Sequence, residues 1–331
     1  MTLPPIRGLL VPALADLPET TQTAPLLSVV IPCYNEAENL SPLLDRLLPV
    51  LKKSCGERFE ILFVDDGSRD GSEETLDVIS TKNPRIRVLH FSRNFGHQAA
   101  LLAGLDAARG DAVVLMDADL QDPPELIETF VARWREGYDV AYAQRATREE
   151  GLAKRAAYAL FYRSMRAISA IDVPLDAGDF SLLDRRVVEA LRSFSEQSPF
   201  LRGLRAWVGF RQIAVPYERP ARERGHPKYT LRKLVRLALS GYIGFSQLPL
   251  RAAVGLGFFF AVVGFCFAAW AVLSKILGVP TPWGWASTLA VIMTLGGVQL
   301  LVLGIMGEYL GRVLDEVRGR PRYVLREKRR G

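Results

Sequence analysis

The sequence predicts an α/β domain on a mostly parallel sheet covered on both faces, followed by an interfacial amphipathic helix and two C-terminal transmembrane helices. Three observations predict it. Over residues 27–116, short, continuously apolar, β-branched runs alternate with segments of helical periodicity, the pattern of strands buried on both faces. Residues 252–273 and 286–307 carry no charged side chain, and as a helix each would be about 33 Å long, enough to cross a bilayer. Between them and the domain, Leu231, Leu234, Val235, Ala238, Leu239 and Tyr242 recur at i, i+3, i+4, i+7 with Arg232, Lys233 and Arg236 off that face, as in a helix lying at a membrane surface.

Taken in order, residues 1–26 are rich in Pro, Thr, Ala and Leu and lack the layout of a signal peptide, so they are predicted to be a flexible tail. Leu27–Pro32 reads as a buried strand, and a helix follows from about Glu38 with Leu40, Leu43, Leu44, Leu47 and Leu48 at helical spacing. Phe59–Val64 is a second strand closed by the turn cluster Asp65–Gly71; a helix over about 72–82, a strand at Ile86–Phe91 and a helix over about 97–108 come next. The fourth strand, Ala112–Met116, runs into Asp117-Ala118-Asp119. Ligands of such sheets sit at the carboxyl ends of the strands, where this chain concentrates carboxylates and turns. After Gln121 the alternation degrades, and residues 145–230 read as α+β, with a helix near 152–169, a strand near 179–183 and a basic loop at 216–228. The resulting layout is a tail (1–26), a catalytic domain (27–229), a juxtamembrane helix (230–250), a helical hairpin (251–310) and a basic tail (311–331).

The flanks of the two apolar runs set an orientation. Arg232, Lys233, Arg236 and Arg251 precede the first, and Arg312, Arg318, Arg320 and Arg322 follow the second. The connecting loop holds only Lys275, with Trp283 and Trp285 as interfacial anchors. By the positive-inside rule both termini and the domain face the cytoplasm of the inner membrane. The alternative is a pair of buried core helices. The net charge of +6 fits a membrane surface or phosphate-bearing ligands rather than nucleic acid, because the Arg and Lys residues cluster beside the apolar runs. The three cysteines are widely spaced, with neither a disulfide nor a zinc pattern, and the three histidines are scattered.

Asp117 and Asp119 emerge together at a strand end. Residues i and i+2 of an extended segment point the same way, so the pair could hold one Mg²⁺ or Mn²⁺ whose other positions take diphosphate oxygens and water. An ordinary turn is the competing reading. Four motifs then carry a resemblance: Ile31-Pro-Cys-Tyr-Asn-Glu-Ala-Glu-Asn-Leu40, Val64-Asp-Asp-Gly-Ser68, Arg93-Asn-Phe-Gly96 and Met116-Asp-Ala-Asp-Leu-Gln121. Together with Gly307–Gly311 and Arg318–Tyr323 they resemble the family 2 inverting glycosyltransferases, more narrowly the polyprenyl-phosphate glycosyltransferases, over about residues 27–325.

The resemblance implies a GT-A type, Rossmann-like fold, and transfer of a sugar from a nucleotide-sugar donor to a polyprenyl phosphate. It implies a donor pocket lined by Pro32, Tyr34, Glu36, Asp66 and Asp117, and a metal motif of Asp117, Asp119 and Gln121. Phosphate contacts fall to Arg145, at the end of a strand over Tyr138–Gln144, with Lys154 or Arg155, and to Arg224 and Lys228 in the basic loop. Pro227 stands where relatives usually carry Ser, which removes a hydroxyl contact from that loop. Asp179 is assigned to orienting the acceptor or the sugar, since a lipid phosphate is already ionised and demands no strong general base. His97 reads as an early helix position that touches nothing reactive. UDP-glucose is the favoured donor, with GDP-mannose, UDP-N-acetylglucosamine and a UDP-4-formamido-arabinose as alternatives. A processive polysaccharide synthase and a non-catalytic nucleotide-sugar binder are the rival functions. Undecaprenyl phosphate, the bilayer and a homotetramer are the expected partners.

Overall fold

The computed structural model describes residues 26–145, 177–194, 196, 200–218, 248–277 and 284–326. The predicted helix near 152–169, most of the basic loop and the interfacial helix before residue 248 lie outside the described residues. The first half runs β1 (Leu27–Cys33), α1 (Ala37–Cys55), β2 (Phe59–Asp65), α2 (Ser72–Lys82), β3 (Ile86–His90), α3 (His97–Ala107) and β4 (Ala112–Leu115). The second runs α4 (Leu126–Arg135), β5 (Val140–Arg145), β6 (Ala177–Asp184), α5 (Arg185–Arg192), α6 (Leu201–Trp207), β7 (Gln212–Tyr217), α7 (Leu248–Ile276) and α8 (Trp285–Arg318).

The seven strands among the described residues form one sheet in the order β3-β2-β1-β4-β6-β5-β7. β1 lies parallel to both β2 and β4, and β2 is parallel to β3. β6 inserts antiparallel between β4 and β5, and β7 adds parallel to β5. Every residue of β1 and β2 is buried, as their largely apolar runs require, and the two polar residues among them, Ser28 and Glu60, bond each other at 2.6 Å. Alternate side chains serve opposite faces. Val29, Ile31, Ile61 and Phe63 pack with Leu40, Leu47 and Phe130 of α1 and α4. Val30, Leu62 and Val64 pack with Leu101, Leu105 and Val187 of α3 and α5. Gly104 lets α3 close on β1, since a Cβ there would stand 2.1 Å from Val30 Cγ1. Each fully buried leucine contributes about 1.5–3 kcal/mol. The sheet order changes direction between β1 and β4, and the crevice above their carboxyl ends is the natural ligand position.

The described residues fall into two compact units: 26–145, 177–218 and 321–326 in one, and 248–320 in the other. In the second, α7 packs against α8 and large apolar side chains such as Phe258, Phe265, Leu300 and Leu310 remain exposed. Thr294–Arg318 is long and apolar enough to cross a membrane, whereas the apolar stretch of α7, Ala253–Cys266, is shorter. Of the two predicted spans, one therefore meets that test. α8 continues to Arg318 and ends at Gly319 in the left-handed conformation, φ 58°, a common helix stop. Within the predicted basic tail, the chain then returns to the first unit. Leu325 bridges Phe91 antiparallel, Ser92 N donates to Val324 O at 2.9 Å, and Arg326 N donates to His90 O at 2.8 Å.

Candidate active site

The β1–α1 and β2–α2 turns are laced together at the carboxyl ends of their strands. Asn35 N donates to Ser68 Oγ and Glu36 N to Ser72 Oγ, both at 3.0 Å, while Arg69 N donates to Asn35 Oδ1 at 2.8 Å. Asn35 adopts φ 56°, a conformation asparagine tolerates better than most residues. Pro32 is buried at the end of β1, Tyr34 is exposed, and the Glu36 carboxylate accepts from Asn39 Nδ2. Asp65 caps its own turn by accepting from Ser68 N at 3.0 Å, so it plays the structural part.

Asp66 is 3% exposed and gathers the next loop. Its Oδ1 accepts from Phe95 N at 2.6 Å and its Oδ2 from Gly96 N at 2.9 Å. Burial pushes its carboxyl up, against those two N–H groups, and the charge of Asp65 adds to the rise. Gly67, at φ 70°, passes so close that a Cβ would meet Arg93 C at 2.8 Å and Asn94 N at 2.9 Å. The two motifs Val64–Ser68 and Arg93–Gly96, distant in sequence, thus build one ledge.

Asp117 follows β4, half-buried. His97, the first residue of α3, holds its Nε2 3.6 Å from Asp117 Oδ1 and 3.5 Å from Asp179 Oδ2. The expectation that His97 touches nothing reactive is corrected: the loop held by Asp66 ends at Gly96 and delivers this imidazole between the two carboxylates. Burial raises the Asp117 carboxyl; His97 opposes, and the like charges of Asp179 and Asp119 push it further up. Asp179 sits on β6, 8% exposed, clasped by Arg202 through two bonds of 2.9 and 2.8 Å. Burial alone would raise its carboxyl, but His97 and Arg202 hold it well below the usual carboxylate range. Gln121 N donates to Asp119 Oδ1 at 3.1 Å, and Leu120 between them has φ 60°, strain of about 1–3 kcal/mol that such positions carry near functional groups.

A divalent cation fits this donor set. Carboxylate oxygens suit Mg²⁺ or Mn²⁺, and the carboxylates of Asp119 and Asp179 lie close enough to Asp117 to add to the rise that burial gives it, a crowding of negative charge that a cation would relieve. Asp65, Glu73 and His90 also bring ligand atoms within 4.8 Å of one another. There, however, His90 is engaged by Asp65 at 3.1 Å and Asp77 at 3.2 Å, and Glu73 pairs with Arg326.

Beside Asp179, Arg205 is 3% exposed. Its Nη1 donates to Gly178 O at 3.3 Å and its guanidinium lies 4.9 Å from the Tyr142 ring. Among the described residues its Nε and Nη2 have no hydrogen-bond partner. They adjoin a cavity of about 10 Å³ lined by Leu115, Asp179, Ser181 and Arg202, room for one water. Burial pushes Arg205 down to about 10.

Of the residues singled out from sequence, the structure brings Asp117 and Asp179 together around His97, and Asp119 stands on the same turn as Asp117. Pro32, Tyr34, Glu36 and Asp66 lie on the adjoining ledge. Arg145 ends β5, and its side chain, like Lys154, Arg155, Arg224 and Lys228, lies outside the described residues. Arg202 and Arg205 carried no sequence signal. His97 carried one, its place directly after the Arg93–Gly96 motif.

The profile of Glycosyl transferase family 2 matches residues 28–192. The uncharacterized glycosyltransferase YkcC of Bacillus subtilis is 42% identical over 301 residues, covering 91% of this chain and 93% of its own length. The chain belongs to glycosyl transferase family 2. An uncharacterized glycosyltransferase of Synechocystis is 45% identical over 90% of this chain and 94% of its own length. The SfII prophage-derived bactoprenol glucosyl transferase of Shigella flexneri is 37% identical over 92% of this chain and 99% of its own. As a family 2 transferase the chain carries its Asp117-Ala-Asp119 turn at the end of β4, in the parallel half of the sheet.

Proposed function

We propose that this transferase moves glucose from UDP-glucose to a polyprenyl phosphate, undecaprenyl phosphate in bacteria, with inversion at the anomeric carbon. The observation that carries the reading is the meeting of Asp117, His97 and Asp179 at the β1–β4 crevice of a chain that matches a bactoprenol glucosyl transferase along nearly its whole length. The ledge formed by Tyr34, Glu36 and the Asp66-held loop receives the nucleoside. A phosphate oxygen of the lipid attacks C1 of the sugar as the bond from C1 to the diphosphate oxygen breaks, and the nucleoside diphosphate leaves. The attacking oxygen is already ionised, so no proton has to be removed. Asp117 and Asp119 would hold the divalent ion, which supplies charge neutralisation for the departing diphosphate. Asp179, fixed by Arg202, orients the acceptor or the sugar, and Arg145, Lys154 or Arg155, Arg224 and Lys228 provide the phosphate contacts. α7 and α8 form a membrane hairpin that keeps the domain on the cytoplasmic face, where the lipid phosphate surfaces and the search for it becomes local.

The test is transfer of radiolabelled UDP-glucose into butanol-extractable lipid by washed membranes carrying the chain. Label is expected in the lipid, lost with EDTA and restored by Mn²⁺. Asp119→Ala is expected to lower transfer by about 100-fold or more while the protein stays in the membrane. Turnover that persists in EDTA and in Asp119→Ala removes the metal assignment. Label from GDP-mannose alone changes the donor.

A further inference from the structure

We propose that the C-terminal strap, residues 322–326, is part of the donor site: it positions the Arg93–Gly96 loop, so that nucleotide affinity depends on a segment beyond the last helix. The inference rests on the reading above that this loop and Asp66 face the nucleotide.

The strap touches the sheet at one place. Its backbone bonds go to His90 and Ser92, and its bridge to Phe91, all at or just past the carboxyl end of β3. A segment that merely covered an edge strand would run along it; this one meets β3 where the loop begins. Its side chains continue inward. The Tyr323 ring stacks on Phe91 with centroids 5.2 Å apart and planes at 11°. Phe91 in turn meets Phe95 edge-on at 5.6 Å. Phe95 is the residue whose N–H donates to Asp66 at 2.6 Å. One aromatic file therefore links the strap to the loop that Asp66 closes.

The strap also grips the helices on either side. Tyr323 Oη bonds Asp106 Oδ2 at 3.0 Å near the end of α3, and Arg326 pairs with Glu73 in the first turn of α2. α3 begins with His97, so the helix held at one end by Tyr323 presents at its other end the imidazole between Asp117 and Asp179. Burial and the neighbouring Asp106 push the Tyr323 hydroxyl up, beyond the ordinary phenol range, which keeps it a hydrogen-bond donor at neutral pH. A binding site demands that its groups be held to a fraction of an ångström, and a 1 Å displacement can cost about 100-fold. On its inner side the loop meets the Gly67 backbone and the Asp66 carboxylate. The strap supplies the outer side.

The experiment uses the full chain in detergent and in membranes, with two variants: truncation after Pro321, and Tyr323→Leu, which removes both the stacking ring and the hydroxyl but keeps an apolar side chain. Binding of UDP and of GDP, each with Mn²⁺, is measured by calorimetry, and donor KM, lipid KM and kcat by transfer assay. Both variants are expected to weaken nucleotide binding and raise donor KM about tenfold, with lipid KM changed by about twofold or less. A peptide of residues 321–331 is expected to restore affinity to the truncated chain and to leave Tyr323→Leu unaffected. Variants that melt like the wild type and bind nucleotide like it overturn the proposal. So does a loss of all parameters in proportion to an unfolded fraction, with no rescue by the peptide. A wild-type chain that binds neither nucleotide overturns the nucleotide-site reading itself.

Discussion

At Asp117 three carboxylates share a space with one imidazole, and the arginines behind them decide which charges survive. Arg202 and Arg205 sit one helical turn apart on α6 yet do opposite things. Arg202 forms a two-pronged bond with a carboxylate that is 8% exposed, and removing one partner of such a pair leaves a buried charge without its counterpart. Arg202→Ala is expected to cost about 2 kcal/mol in urea unfolding, less than a fully buried pair because the Arg202 side chain is 41% exposed. It should also lower transfer, through a misplaced Asp179. Arg205 has one backbone acceptor and an aromatic face, with two N–H groups unmatched among the described residues. Replacing an ill-matched buried cation with an apolar side chain of similar length is often neutral or stabilising. Arg205→Met is therefore expected to change stability by less than about 1 kcal/mol, or to raise it. A loss of several kcal/mol would mean that the attraction of Asp179 for Arg205 outweighs the burial of its charge.

Among the elements, β2 and β3 are joined by a relay from Asp65 through His90 to Asp77. Burial disfavours charge on His90, but its bonds to Asp65 and Asp77 win and raise its affinity for the proton. For Asp65 burial works upward, while His90 and the Ser68 hydroxyl and N–H lower it on balance. The signs follow. The stability due to a raised histidine is complete below its unfolded value of about 6.5 and fades as pH rises through the folded value; that due to a lowered aspartate is complete above about 3.9 and fades as pH falls through its folded value. The relay is thus strongest between about pH 4 and pH 6.5, each pKa unit being worth about 1.4 kcal/mol. Melting temperature is expected to decline from pH 6 to pH 9, and His90→Asn is expected to flatten that slope. An unchanged slope in the variant would place the pH dependence elsewhere.

Over the whole molecule, the first unit ends each strand in chemistry and the second exposes apolar helices. The 25 residues of Thr294–Arg318 make a helix about 37 Å long, longer than the roughly 30 Å hydrocarbon core. With Leu300 exposed on it and Phe258 and Phe265 exposed on α7, the chain is expected to stay in the membrane pellet through salt and carbonate washes and to leave it only with detergent. Release by salt alone would mean surface attachment.

The sequence by itself determined β1 to β4, their helices and the position of Asp117 and Asp119. β1, β2 and β4 are buried on both faces, so their runs are almost wholly apolar, broken only by Ser28 and Glu60, which bond each other, and the helices α1 to α3 carry apolar residues at helical spacing; local pattern is enough. It also determined that two long uncharged segments follow. Only the tertiary structure decided the rest. β6 inserts antiparallel between β4 and β5, which no local pattern encodes, and that insertion is what brings Asp179 from β6 beside Asp117 after β4. His97 touches both because Asp66, thirty residues before Gly96, bends the loop that precedes it. The strap's pairing with β3 joins Tyr323 to Asp106 across 217 residues. Contacts of that kind depend on chain segments meeting in space, and their residues are chosen for partners that the neighbouring sequence does not contain.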